Sequence, residues 1–214
     1  MSIDTNTRFL GVDSSKVDLS EKKGSLNDSK TEYYSLQDIY GYINPLVGLF
    51  AQTKSSTPIA NTTTESSLIG IGVGSLSVPA NQFKVGDSYH AKLIGHISCN
   101  SAATLRLKIK AGSVILADTG IIDLDTISNR HWEINVYFTI REIGSAGIAS
   151  IASGGIFSYT KNSGLNFEGT NFSIVNDDTF DTTVSNALNV TAQWGSANAE
   201  DSIYSEIFTL SKTF

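Results

Sequence analysis

Apolar and polar positions alternate with a period of two over most of the chain beyond residue 88. Between 131 and 141, Trp132, Ile134, Val136, Phe138 and Ile140 take one set of positions, and His131, Glu133, Asn135, Tyr137 and Thr139 take the other. Successive strand side chains point to opposite faces, so this pattern predicts a strand with one buried and one solvated face. Tyr89, Ala91, Leu93, Gly95, Ile97 and Cys99 alternate in the same way with His90, Lys92, His96 and Ser98. Leu105, Leu107 and Ile109 alternate with Arg106, Lys108 and Lys110. Further strands are expected over 114–117, 148–159, 171–175, 188–194 and 203–214, the last with Phe208, Leu210 and Phe214 sharing a face. Gly70, Gly72 and Gly74 break 68–78 into short pieces, and Gly/Asn/Asp/Ser clusters separate the rest. No strand alternates with a helix, which excludes α/β folds. The expected fold is all-β, an antiparallel jelly-roll sandwich spanning 68–214 whose two sheets protect their edges. An immunoglobulin-like sandwich is the alternative, but it needs about 100 residues and a Cys–Trp–Cys core that this sequence lacks.

Before residue 68 the pattern changes twice. Residues 1–33 show neither a strand nor a helix period, and their few apolar side chains bury too little surface to offset ordering. They read either as a disordered tail or as an extended anchoring arm that orders against a partner, with Phe9 and Leu10 as its apolar anchors. Ser35 then caps a short α-helix assigned to 34–51, with Leu36, Ile39, Tyr40 and Ile43 at helical spacing and Pro45 ending or kinking it. That stripe either lies on the β domain or meets copies of itself on a symmetry axis. A membrane-surface helix is disfavoured, because its polar face carries no Lys or Arg. Residues 52–67 are rich in Ser, Thr and Asn and read as a linker.

Composition narrows the function classes. A net charge of −6 argues against a sequence-independent nucleic-acid binder, which needs a clustered basic face. The lone Cys99 excludes an intramolecular disulfide, so packing or association must hold the fold. No apolar run reaches about 18 residues, so no membrane insertion is expected, and the N-terminus lacks the pattern of a signal peptide. Asn61, Asn171 and Asn189 form glycosylation sequons, read as chance without a secretory signal.

Candidate chemistry is sparse. His90 and His96 are six apart on one strand face, about 20 Å along it and too far for one metal ion, and His131 adds no ligand at metal spacing. Asn176, Asp177, Asp178 and Asp181 gather oxygen ligands of the kind calcium takes, but without the EF-hand glycine and terminal Glu they read as an Asx-stabilised turn. The 70–75 glycine run lacks dinucleotide-fingerprint spacing. No G-x-S-x-G elbow is present, and Cys99 falls on an apolar face. Paired carboxylates for glycoside cleavage need only meet in space, so the sequence leaves that option open. Tyr89, Tyr137, Phe157, Tyr159 and Tyr204 are aromatics that sugars could stack on. No catalytic residue, metal or cofactor is expected.

Three C-terminal blocks carry a resemblance: Phe180-Asp-Thr-Thr-Val-Ser-Asn186, Thr191-Ala-Gln-Trp-Gly-Ser-Ala-Asn198 and Ser202-Ile-Tyr204. Together with Pro79-Ala-Asn-Gln-Phe-Lys-Val-Gly-Asp87 and Arg141-Glu-Ile-Gly144, they resemble the C-terminal module of head-fibre, tail-fibre or capsid-decoration proteins of tailed phages and large aquatic viruses. Thr7-Arg-Phe-Leu-Gly-Val12 and Thr31-Glu-Tyr-Tyr-Ser-Leu-Gln-Asp-Ile39 look like the arm of such proteins. The resemblance implies a trimeric virion surface protein, assembled in the host cytoplasm and displaying a jelly-roll head outward; the leading reading has that head face solvent or host glycans, and no receptor-binding residue is carried over. Its arm would bind capsid or other virion proteins. The sequence has no heptad shaft between helix and head, so a short head fibre or spike fits better than a long fibre. A free carbohydrate-binding module and a glycoside-active enzyme are the alternatives from other classes.

Overall fold

The computed structural model describes residues 48–214 except 163 and 165, and of 176–178 the backbone alone. The expected arm (1–33) and the helical stripe of Leu36, Ile39, Tyr40 and Ile43 lie outside the described residues, as do Phe9 and Leu10. In chain order the strands are β1 (Gly48–Gln52), β2 (Ile59–Ala60), β3 (Ser66–Ser67), β4 (Gly72–Gly74), β5 (Ser77–Val78), β6 (Ser88–Cys99) and β7 (Ala103–Ala111). They continue with β8 (Val114–Asp118), β9 (Ile122–Leu124), β10 (Ile127–Ile143), β11 (Ile148–Thr160), β12 (Phe167–Asp181), β13 (Asn186–Trp194) and β14 (Ser202–Lys212).

These strands make an all-β sandwich of two antiparallel sheets. The larger has the order β12-β11-β10-β6-β14-β1-β4, with β2 also on β14. The smaller has the order β3-β13-β7-β8, with β5 on β13 and β9 on β7. The chain changes sheet at every step from β2 to β7, again between β9 and β10, and on both sides of β13, so neighbours in sequence face each other across the core. The period-two pattern is the cause. Trp132, Leu93, Phe157 and Phe208 from the larger sheet and Leu105, Leu107, Val190 and Trp194 from the smaller are buried in one cluster, and burial of side chains this large is the main favourable term in the fold. One end is closed by aromatic packing, with Phe83 edge-on to Phe180 at 5.2 Å and Tyr89 stacked on Phe138 at 4.8 Å.

Four local expectations give way to the structure. Residues 48–51 do not continue a helix: β1 occupies Gly48–Gln52, because Leu49 and Phe50 pack against the core while the backbone pairs with β14 on one side and β4 on the other. Residues 52–67 are not a free linker. Ser56 and Ser205 exchange hydrogen bonds, from Ser56 N to Ser205 O and from Ser205 N to Ser56 Oγ, both at 2.9 Å. The Trp194 indole N–H donates to Ile59 O at 2.9 Å, and Leu68 N donates to Val190 O. The segment therefore straps the larger sheet to the smaller through partners more than 120 residues away in sequence. Residues 176–178 are backbone of β12, not a turn, held against β11. Finally, Phe214 does not share the buried face of Phe208 and Leu210; it lies beyond the end of β14 and is 79% exposed.

Candidate functional site

The two outer faces of the sandwich differ in chemistry. On the smaller sheet, alternation turns Arg106, Lys108 and Lys110 of β7 outward, and each finds an acid. Glu65 accepts from Lys108 Nζ at 2.7 Å, from Lys110 Nζ, and from Thr191 Oγ1 at 2.8 Å. Those donors hold the Glu65 carboxyl down to about 2. Arg106 forks onto Asp118, donating from Nε to Oδ1 and from Nη2 to Oδ2, and holds that carboxyl below the usual range. The basic residues of β7 on this face are thus engaged in two ion-pair clusters, Lys108–Glu65–Lys110 and Arg106–Asp118.

The outer face of the larger sheet is organised differently. Register places its outward residues in rows across the strands. One row runs Tyr204, His96, His131; the next runs Ile207, Ile94, Glu133, Ser158, Gly169. A third runs Thr209, Lys92, Asn135, Ile156, Asn171, and a fourth Ser211, His90, Tyr137, Gly154, Ser173. All the histidines of the chain thus meet on one face. His96 and His131 stand directly opposite each other, rings perpendicular with centroids 6.5 Å apart, a juxtaposition that their separation in sequence conceals. His96 Nδ1 lies 3.3 Å from Glu206 Oε2, within ion-pair reach but out of line for a hydrogen bond. His90 stacks on Tyr137 at 4.3 Å with the planes within 5°, and its Nε2 is 3.3 Å from Asn135 Oδ1. Lys92 and Glu133 approach no closer than 3.8 Å, a weak pairing for exposed groups.

Towards one end of this face, His131, Glu133, Ser158, Tyr159 and Phe167 line a depression of about 460 Å³. Phe167 is 74% exposed. Tyr159 is itself buried, and its hydroxyl donates to Glu168 Oε2 at 2.9 Å, while Lys161 Nζ binds the same carboxylate at 2.8 Å. Lys161 and Tyr159 together hold Glu168 below the ordinary carboxylate range. The lining combines an apolar wall, one carboxylate, an imidazole and a hydroxyl, the mixture that fixes a hydroxyl-rich ligand by a few placed hydrogen bonds.

The other candidates take different places. Tyr89, Phe157 and Tyr159 are core residues and present no ring to solvent; Tyr137 and Tyr204 remain on the outer face. Phe167 escapes sequence reading because β12 carries polar residues on both faces at its start, which silences the period-two signal. Asp181 ends β12 and accepts from Thr183 N and Oγ1, which lowers its pKa. Among the described residues no three His, Cys, Asp or Glu side chains are gathered in a metal-holding arrangement. Cys99 is buried, donates to Asp125 O at 3.2 Å, and has its thiol pushed up to about 11, first by burial and then by the Asp201 charge. It is a neutral thiol at physiological pH.

No family model matches this chain, and no curated protein matches it. Among solved structures, the metal-free form of lectin I-B4 from Griffonia simplicifolia is similar at 10% identity and TM-score 0.37, covering 71% of this chain and 78% of that one. The CBM2 module of an evolved Dit of Lactobacillus casei BL23 phage J-1 is similar at 11% identity and TM-score 0.28, covering 64% and 68%. Scores this low carry no argument about what this chain does.

Proposed function

We propose that the chain is a virion structural protein, a trimeric head fibre or capsid decoration whose jelly-roll head attaches to host-surface glycans through the outer face of its larger sheet. In this reading Phe9 and Leu10 anchor the arm to other virion proteins, and the stripe of Leu36, Ile39, Tyr40 and Ile43 brings the copies together. The virion part is supported by the resemblance of the 180–204 blocks and the N-terminal segments. The glycan part is carried by one observation. The larger sheet's outer face leaves Tyr137 and Phe167 exposed among imidazole, amide, hydroxyl and carboxylate groups, whereas the basic residues of β7 on the smaller sheet's face are engaged in ion pairs.

The test uses the full chain on a printed panel of neutral and acidic host-surface glycans, with light scattering on the same sample. The expected result is a mass near three chains and retention of at least one glycan class. Glu133→Gln with Phe167→Ala should weaken that retention roughly tenfold or more, because the site would lose a hydrogen-bonding acid and its apolar wall. A monomer that binds glycans would move the chain to the free carbohydrate-binding module. No retention of any glycan, or retention indifferent to the double substitution, would overturn the assignment of this face.

A further inference from the structure

A second feature of the same face lies outside the depression. Tyr137 is 56% exposed, an unusual position for so large a ring at the middle of a long central strand. Its orientation is fixed from one side. The parallel stack with His90 sets the Tyr137 ring on edge, its first face covered from the β6 side. Asn135 Oδ1 steadies His90 in turn. The second face turns towards β11, where the residue opposite is Gly154, followed on β12 by Ser173.

Gly154 leaves a gap there. A Cβ built on it would meet Phe172 O at 3.5 Å and Ser173 Cβ at 3.8 Å, with no atom of Tyr137 within 4 Å. The ring has not collapsed onto the glycine, and the glycine is not demanded by its own backbone, since its φ is not in the left-handed region. The result is an open strip with an aromatic wall and a floor of backbone and one hydroxyl. On β11 and β12 the strip is bordered on one side by Ile156 and Asn171, and on the other by Ala152 and Val175. None of these residues is charged.

An aromatic face over a floor without side chains, with amide and hydroxyl groups at its margin, suits a flat ring with C–H groups on its face and hydroxyls on its edge. Tyr137 is four residues from Glu133 on β10, as Gly154 is from Ser158 on β11. At ~3.3 Å per residue the strip lies about 13 Å along the strands from the depression, within the span of a short oligosaccharide.

We propose that the Tyr137–Gly154 strip is a stacking subsite for a neutral sugar ring, in line with the Glu133 depression and separated from it by the row of Asn135, Ile156 and Asn171, so that one oligosaccharide lying across that row is read along β10 and β11. The proposal rests on the glycan reading of this face, and it adds the ligand's extended length, its neutrality and the residues that sense both.

The test takes the glycan best retained by the full chain and measures affinity for its mono- to hexasaccharide series by titration calorimetry. The same titration is run on Tyr137→Ala, Tyr137→Phe and Gly154→Leu. Affinity should rise with length, and Tyr137→Ala should remove roughly three- to tenfold from the longer members while sparing the shortest. Gly154→Leu, which fills the strip from a position with ordinary room for a Cβ, should do the same. Tyr137→Phe should keep the length dependence. Circular dichroism in the near ultraviolet checks that each variant is folded; should Gly154→Leu fail to fold, the two Tyr137 variants decide alone. Glycan binding without length dependence, or unaffected by Tyr137→Ala, overturns the subsite and leaves the glycan reading standing. Preference for sialylated or sulfated glycans overturns the neutral assignment. If the full chain retains no glycan, both fall.

Discussion

Glu65 shows how one side chain can tie distant segments together. It comes from the strap before residue 68 and binds Lys108, Lys110 and Thr191 of the smaller sheet. Its pKa falls from the ordinary 4.5 to about 2, chiefly through hydrogen bonds from the two lysines. A carboxyl with a depressed folded pKa stabilises fully above its unfolded pKa and loses that contribution as pH falls through the folded one. The melting temperature of Glu65→Gln should therefore lie below that of the native chain above about pH 5, and the gap should close as pH approaches 2. A gap independent of pH would mean that Glu65 acts through packing. None of this was legible in the sequence, where Glu65 sits in a polar run and its partners lie more than 40 residues away. Tyr137 was legible as an outward residue by parity alone. Its stack on His90 and the open strip beside it depend on register with β6 and β11, which parity does not fix.

At the scale of elements, β6, β10 and β14 form the spine on which the four outward rows depend. Gly95 is the tight point. It occupies an inward position of β6 where a Cβ would collide with the Tyr204 carbonyl and lie 2.8 Å from Ser205 Cα. The close approach coincides with the irregularity in β14 between Ser205 and Ile207, and with the Trp132 indole donating to both His96 O and Tyr204 O at 3.0 and 3.2 Å. β14 cannot move away, because Ser205 is tied to Ser56 and to the Leu68 carbonyl. Gly95→Ala should cost about 1–3 kcal/mol, visible as a lower urea midpoint with an unchanged slope. A neutral result would show that the β6–β14 spacing is compliant. The alternation exposed β6 almost to the residue and the 131–141 stretch of β10, since each has one apolar and one polar face, but β10 itself begins at Ile127 and ends at Ile143. Of β12 it gave only 171–175, because the start of that strand is mostly polar on both sides, and it missed β1–β3, which are too short to show a period.

At the scale of the molecule, the sandwich begins earlier than its apolar pattern does. A chain starting at residue 68 would lose β1, β2 and β3, the acceptor of the Trp194 indole and the partner of the buried Ser205 backbone. Unsatisfied buried groups of this kind cost about 1–3 kcal/mol each, against a total stability of only about 5–15 kcal/mol. Residues 48–214 should melt cooperatively, and residues 68–214 should not; equal melts would reduce the strap to an ornament of the surface. The sequence by itself determined the all-β class, the long strands other than most of β12, and which of their faces turn inward, because those follow from side-chain parity and the free energy of burying apolar surface. Tertiary structure alone decided that a Ser/Thr-rich stretch joins the two sheets and that His96 meets His131. It also placed an open strip beside Tyr137, because cross-strand register and long-range hydrogen bonds are relations between segments that no local pattern encodes.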